Sequence, residues 1–77
     1  MKLKKINTNE SELALKSGIT ILFSYSTPVA GWDDNGPFRT STKWSVTTSR
    51  HINKYLGGSD IGRTVSQEWI QGLVDHV

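Results

Sequence analysis

The chain has 77 residues, no cysteine and a net charge of +2, so we treat residues 1–77 as one small domain. The lack of cysteine excludes disulfides and thiolate metal sites, and His51 and His76 have no cluster of ligands near them in the sequence. We therefore expect neither a metal nor a cofactor. The longest apolar run is far shorter than a membrane-spanning helix, and the polar residues after the first lysines do not continue as a signal peptide. Because so small a core is often stabilised by association, a homodimer is one expected state.

The first half of the chain predicts strands. Leu13 and Leu15 alternate with polar neighbours, and the β-branched and aromatic run ITILFSY follows a Ser17-Gly18 turn. This pattern predicts a hairpin with strands at 12–16 and 19–25.

The next segment contains a proline and an acidic turn. Thr27-Pro28 is expected to end the pairing or to lie at a sheet edge, because proline has no amide donor. A short strand over 29–32 then leads into a turn at 33–37, where Asn35 and Gly36 suit positive φ angles. This turn lacks the later carboxylates of a calcium loop, so calcium is not expected there.

Residues 38–45 alternate more regularly than any other part of the chain. Phe38, Thr40, Thr42 and Trp44 share one face, and the opposite face carries Arg39, Ser41, Lys43 and Ser45. We predict a strand whose aromatic face is buried and whose hydroxyl-and-cation face lies in solvent. Its two cations would stand about 13 Å apart, a spacing that suits successive phosphates and equally suits an ordinary exposed strand.

The pattern becomes helical after residue 46. Thr47 or Thr48 is expected to cap a first helix that ends at Gly57-Gly58 and whose apolar face comprises Ile52, Tyr55 and Leu56. This placement puts Arg50 and His51 in the first turn, where the helix dipole favours negative charge.

A second helix is expected to begin near Thr64 or Ser66, with Thr64 and Gln67 forming a capping box. Gly72 is unfavourable in a helix interior, so it predicts close packing against another backbone. The apolar stripe of this helix comprises Trp69, Ile70, Leu73, Val74 and Val77. A strand-rich part (1–46) before a helical part (47–77) predicts an α+β fold. We expect a small antiparallel sheet of three to four strands, with two C-terminal helices packed on one face.

Two stretches resemble a known family. SYSTPVA (24–30) and FRTSTKWSVTTSRHINKYLGG (38–58) are similar to a widespread family of small phage and prophage proteins of unknown function. The pattern comprises SYxTPVA followed by TTx(K/R)HIN, and the run TTSRHIN carries most of the resemblance. The resemblance implies a phage-encoded protein that acts in the cytoplasm of an infected bacterial host, and it implies no particular activity.

The sequence does not indicate an enzyme. Serines and threonines are common and His51 could act as a base, but there is no G-x-S-x-G element, P-loop, dinucleotide fingerprint or paired-carboxylate motif. We therefore predict no catalytic residues.

The basic residues indicate a binding surface instead. Residues 37–58 carry Arg39, Lys43, Arg50 and Lys54 with no acidic residue, whereas the segments 17–36 and 59–77 are each net acidic. Such a segment is typical of a solvated face or of a surface that meets a negative partner. We predict an anion or nucleic-acid site formed by Arg39, Lys43, Thr47, Thr48, Ser49, Arg50, His51 and Lys54, combining helix N-terminal amides, hydroxyls and cations.

Several alternatives remain open at this point. Arg50 could pair with Asp33 or Asp34 inside the fold, and His51 could simply cap or pack. The partner could also be an acidic host or anti-phage defence protein, bound by an inhibitor or adaptor. Trp32, next to a glycine and an acidic turn, is a possible aromatic contact with a ligand, with a position in the core as its alternative.

Overall fold

The computed structural model describes residues 2–7 and 9–75, and within these residues six strands form one sheet ordered as in the chain. The first five strands are antiparallel, and the sixth pairs parallel with the fifth after crossing over through the first helix. The elements are β1 (Lys2–Asn7), β2 (Glu10–Ala14), β3 (Thr20–Ser24), β4 (Thr27–Asp33), β5 (Gly36–Thr40), α1 (Val46–Leu56), β6 (Arg63–Val65) and α2 (Gln67–Asp75). The α+β class is confirmed. The expected sheet of three to four antiparallel strands is corrected to six strands of mixed direction, because the short polar strands β1 and β6 carry little hydrophobic signal.

Both predicted turns of the first half are present. Gly18 has a φ of 92° and its amide donates to the carbonyl of Leu15, which closes the β2–β3 turn. The acidic turn joins β4 to β5, where the carboxylate of Asp33 accepts a hydrogen bond from the backbone amide of Asn35. Gly36 follows with a φ of 105°, which only glycine adopts readily.

A bulge lets β4 continue through the proline. Leu22 of β3 lies opposite Ala30, and Phe23 lies opposite Pro28, so Val29 is the extra residue. Val29 and Ala30 are consequently both buried in the same core cluster. The expectation that pairing ends at Thr27-Pro28 is wrong on the β3 side, where the bulge accommodates a residue that has no amide donor. On the other side the β4–β5 ladder runs only from Ala30 to Asp33, so Pro28 lies outside it, as the sheet-edge alternative expects.

The helices lie on opposite faces of the sheet. Neighbouring residues Ile21 and Leu22 of β3 are both fully buried, and each belongs to a different core cluster. Leu22 packs with Ile52 and Leu56 of α1, whereas Ile21 packs with Ile70 of α2. The predicted single helical layer is therefore wrong. The run ITILFSY is apolar at consecutive positions because β3 is covered on both faces.

The predicted strand over 38–45 ends early. Ser41 still donates its amide to Val65 of β6, but the amide of Thr42 turns to the hydroxyl of Thr40. This side-chain acceptor replaces a strand partner and leads the chain away from the sheet. Phe38 and Thr40 are buried as expected, whereas Thr42 and Trp44 are exposed.

The first helix begins earlier than predicted. Ser45 is its N-cap and accepts a hydrogen bond from the Thr48 amide, and Gly57 ends the helix with a φ of 95°. The predicted cap at Thr47 or Thr48 is therefore wrong by two or three residues. The apolar face is confirmed, since Ile52 and Leu56 are buried.

The second helix is capped by Ser66, whose hydroxyl accepts from the Trp69 amide. Thr64 belongs to β6, so the predicted capping box with Gln67 does not form. Ile70 is fully buried, whereas a Cβ added to Gly72 would meet no atom of the described residues within 4 Å. The predicted close approach of Gly72 to another backbone is wrong. His76 and Val77 lie outside the described residues.

Candidate binding cleft

A cleft of about 200 Å³ opens at the end of the sheet where α1 begins. The β3–β4 turn, the segment 41–45 and the first turn of α1 meet there. Its lining residues are Ser24, Tyr25, Thr27, Val29, Trp44, Ser45 and Thr48. The wall is therefore a mixture of hydroxyl groups and aromatic rings.

A chain of polar contacts beneath this cleft joins β2, β3 and α1. Glu10 Oε1 lies 3.5 Å from His51 Nε2, and His51 Nδ1 lies 2.8 Å from the Ser24 hydroxyl. Ser24 Oγ also lies 3.0 Å from Thr48 Oγ1, which in turn accepts from the Ser45 hydroxyl. The carboxylate, imidazole and hydroxyls thus fix the start of α1 against the sheet.

A carboxylate, an imidazole and a serine are also the components of a nucleophilic triad. Ser24, however, is only 2% exposed, and its hydroxyl already contacts both His51 and Thr48. Ser24 lines the cleft, but the hydrogen-bond partners of its hydroxyl are these two side chains, which join β3 to α1.

Two exposed aromatic rings border the cleft. Tyr25 has a φ of 60°, unusual for a residue other than glycine, and the residue is 55% exposed. Its ring centroid lies 6.1 Å from that of His51. Trp44 is 49% exposed, and its indole N–H donates to Gln67 at 3.2 Å. Since Gln67 also donates to the Pro28 carbonyl, the Trp44 ring is held in place while much of its surface is open to a ligand.

Arg39 faces inwards rather than into solvent. Its guanidinium donates to the carbonyls of Ile61 and Gly58 at 2.9 and 2.8 Å, and to Asn53 Oδ1 at 3.0 Å. These contacts join β5 to the end of α1. The prediction that Arg39 contributes to an exposed basic face is therefore corrected, because the strand face that carries it is covered by α1.

The remaining predicted cations are exposed, although not at the helix terminus. Lys43 lies in the segment before α1, and Arg50 and Lys54 lie one turn apart along its outer surface. Counted from Ser45, Arg50 and His51 are in the second turn. The helix dipole acts mainly on charges in the first turn, so Arg50 and His51 do not occupy the unfavourable position that the sequence predicted for them.

The hydroxyls predicted for the site divide into two groups. Thr47 is exposed, whereas Thr48 is buried and bonded to Ser24 and Ser45. The amides of Thr48 and Ser49 are occupied by the Ser45 side chain and carbonyl. Within the predicted anion site, the Thr48 hydroxyl and the backbone amides of Thr48 and Ser49 therefore have partners inside the protein, whereas Thr47 faces solvent.

The sequence matches the model of one protein family. The model described as family of unknown function (DUF8033) matches residues 1–72. The chain belongs to DUF8033. Comparisons with curated proteins and with solved structures find no match.

In this DUF8033 member, Trp32 lies apart from the cleft. It is 41% exposed and pairs with Thr20 and Pro37 near the opposite end of β4 from Thr27. The structure therefore does not bring it together with Tyr25, and its partial exposure does not fit the alternative of a position in the core.

Sequence reasoning missed the residues that form the DUF8033 cleft on the sheet side. The pattern predicts Tyr25 within a strand and Trp44 in the core, and it correctly places Ser24 in a strand without indicating that Ser24 lines a cleft. The signal that could have found them is the polar stretch SYST between two apolar runs, since turns between strands often carry binding residues. The contact of Glu10 with His51 joins distant positions and has no local signal.

An ion pair away from the cleft joins Asp33 to Arg63. Asp33 accepts from Arg63 at 2.5 Å, and this hydrogen bond, with the positive charge, holds the pKa of the Asp33 carboxyl below its usual value. Arg50 is therefore not the partner of Asp33.

Among the described residues, no group of three or more His, Cys, Asp or Glu side chains could hold a metal ion. Neither helix in the described part of the chain is long and apolar enough to cross a membrane.

Proposed function

We propose that this protein is a small, non-enzymatic phage-encoded protein that binds single-stranded nucleic acid at the cleft, in the cytoplasm of the host. The single observation that carries the proposal is the combination of exposed Tyr25 and Trp44 rings with the exposed cations of α1 and the segment before it. No acidic residue occurs between Gly36 and Ser59, so this part of the chain repels no phosphate. The phage origin rests on the resemblance of the SYSTPVA and TTSRHIN stretches.

The cleft offers the two interactions that single strands require. Bases stack on exposed aromatic rings, each worth about 1–3 kcal/mol, and the backbone follows nearby cations. Tyr25 and Trp44 would provide the stacking surfaces, and Lys43 and Arg50 would contact phosphates. Because Trp44 is fixed by Gln67, less side-chain entropy is lost when a base packs against it.

A binding titration tests this function. Fluorescein-labelled single-stranded DNA and RNA are titrated at about 50 and 200 mM salt, and we expect binding that weakens steeply as salt rises. The Arg50→Glu/Lys54→Glu variant should bind less while its thermal unfolding stays nearly unchanged, since both side chains are exposed. The matched control is Glu68→Gln on α2, which lies on the opposite face and should bind normally. No binding of either strand at low salt would overturn the proposal.

A second titration separates stacking from charge. Trp44→Phe keeps an aromatic ring and should retain most of the affinity, whereas Trp44→Ala should lose about 1–3 kcal/mol of binding energy. Equal affinity of the wild type and Trp44→Ala would exclude the cleft as the site.

The non-enzymatic part of the proposal has its own test. A fluorophosphonate probe, which labels activated serines, should leave the protein unmodified because Ser24 is buried. Labelling that disappears in Ser24→Ala would show a reactive serine and would overturn this part.

A host or anti-phage defence protein is the second candidate partner. The exposed side chain of Val46 lies at the start of α1 with Tyr25 and Trp44, and aromatic residues are typical anchors of protein interfaces. Pull-down from nuclease-treated host lysate separates the two candidates. A protein captured by the wild type but not by Trp44→Ala would favour an inhibitor or adaptor.

A further inference from the structure

Among the described residues, β1 is the first strand of the sheet and no other strand pairs with its outer edge. β1 lies at the end of the strand order and pairs with β2 on one side, while α1 packs on β3 and β4 and α2 packs on β4. Leu3 is 64% exposed and Ile6 is 41% exposed, and the two lysines between them are also exposed. Such an edge presents backbone amides and carbonyls to which another strand can add.

The charge of this edge argues against a second copy of the chain. In an antiparallel pair of two β1 strands, aligning Leu3 with Ile6 places Lys4 opposite Lys5 twice. A shift of one residue in either direction places Lys4 opposite Lys4, or Lys5 opposite Lys5. Like charges directly opposite one another destabilise a strand pair.

The same residues favour an acidic strand. Within the sheet, Lys4 lies opposite Glu12, whereas Lys5 lies opposite the neutral Ser11, so the charge of Lys5 is the less compensated of the two. The register with β2 shifts between Lys5 and Asn7, whereas Lys2 to Lys5 pair regularly, so both central lysines lie in the regular part of the strand.

We propose that the β1 edge binds an extended segment of another protein with the pattern apolar–acidic–acidic–apolar. Its carboxylates lie opposite Lys4 and Lys5, and its apolar side chains lie beside Leu3 and Ile6. The pattern reads the same in both directions, so parallel and antiparallel addition both satisfy it. This docking edge is independent of the cleft and of the nucleic acid proposed to bind there.

Labelled peptides with a central Val-Glu-Glu-Val or Val-Lys-Lys-Val test the charge pattern. We expect the wild type to bind the acidic peptide about ten-fold more tightly, a difference of about 1.4 kcal/mol. The Lys4→Glu/Lys5→Glu variant should reverse this preference. Because Lys4→Glu places an acidic side chain opposite Glu12, the single variant Lys5→Glu, whose partner is the neutral Ser11, is tested beside the double variant. Lys5 is exposed, so circular dichroism of the single variant should show an unchanged fold while its preference for the acidic peptide is lost. Equal binding of both peptides by the wild type would overturn the proposal.

Strand addition has a separate readout. Hydrogen exchange of the β1 amides should slow when the acidic peptide binds, and a peptide with proline in place of one central glutamate should lose both binding and protection. Undiminished binding of the proline peptide would overturn strand addition.

Two further outcomes would assign the edge to a different occupant and would also overturn the proposal. One is an oligonucleotide that competes with the acidic peptide and loses affinity in Lys4→Glu/Lys5→Glu. The other is a dimer, seen by sedimentation, that Leu3→Lys dissociates.

Discussion

His51 Nδ1 lies 2.8 Å from the hydroxyl of Ser24, a residue 27 positions earlier in the chain. The other ring nitrogen faces the buried carboxylate of Glu10, so one imidazole connects α1 to two strands. This connection fixes α1 beside β3, whose last residue, Ser24, lines the cleft.

His51→Ala should destabilise the protein by about 1–3 kcal/mol, because it removes a partner from two buried polar side chains. Thr47→Ala on the exposed side of the same helix is the matched control and should change stability by less than about 0.5 kcal/mol. Urea unfolding measures both. Equal stabilities of His51→Ala and the control would show that the polar chain contributes nothing to the fold.

Arg39→Lys should cost about 2 kcal/mol of stability, since a lysine cannot reproduce the guanidinium contacts with Asn53, Gly58 and Ile61. Nucleic-acid affinity, measured on the folded variant, should stay unchanged because the guanidinium is used inside the protein. If Arg39→Lys lowers the nucleic-acid affinity but not the free energy of unfolding, Arg39 belongs to the binding surface, as the sequence predicted.

His51 and Arg39 illustrate which features of the structure the sequence could predict and which it could not. Periodicity located most elements, because burial of alternate or helically spaced side chains leaves a local pattern. The sequence does not show on which face of the sheet α2 packs, because that depends on contacts between residues far apart in the chain. For the same reason it does not show that α1 covers Arg39. An arginine on an alternating strand has the same sequence pattern whether its outer face meets water or a helix.

Two glycines should respond in opposite directions to alanine. In Gly31→Ala, the new Cβ would lie 2.2 Å from the Thr20 carbonyl oxygen and 2.6 Å from Phe38, so the sheet has to shift and stability should fall by several kcal/mol. In Gly72→Ala the Cβ enters open space, and the helix should gain up to about 1 kcal/mol. Thermal unfolding of the two variants provides the comparison. A loss of stability in Gly72→Ala would instead support the prediction that Gly72 packs closely against another backbone.

Stability at high pH should depend on Tyr55. Its hydroxyl donates to the carboxylate of Glu12, and burial, followed by this hydrogen bond, raises the pKa of Tyr55 to about 12. The unfolded chain loses this proton near the ordinary tyrosine pKa of about 10, so the folded state binds the extra proton between these values. The free energy of unfolding is therefore maintained below about pH 10 and should fall as the pH rises towards 12.

Tyr55→Phe removes both the hydrogen bond and this proton. It should cost about 1 kcal/mol near neutral pH, and its stability should fall less steeply than that of the wild type between about pH 10 and 12. In a Tyr25→Phe background Tyr55 is the remaining tyrosine, so phenolate absorbance reports its titration directly. A native-state midpoint near 10 in that background, or parallel alkaline slopes for wild type and Tyr55→Phe, would contradict a proton held by burial and by Glu12.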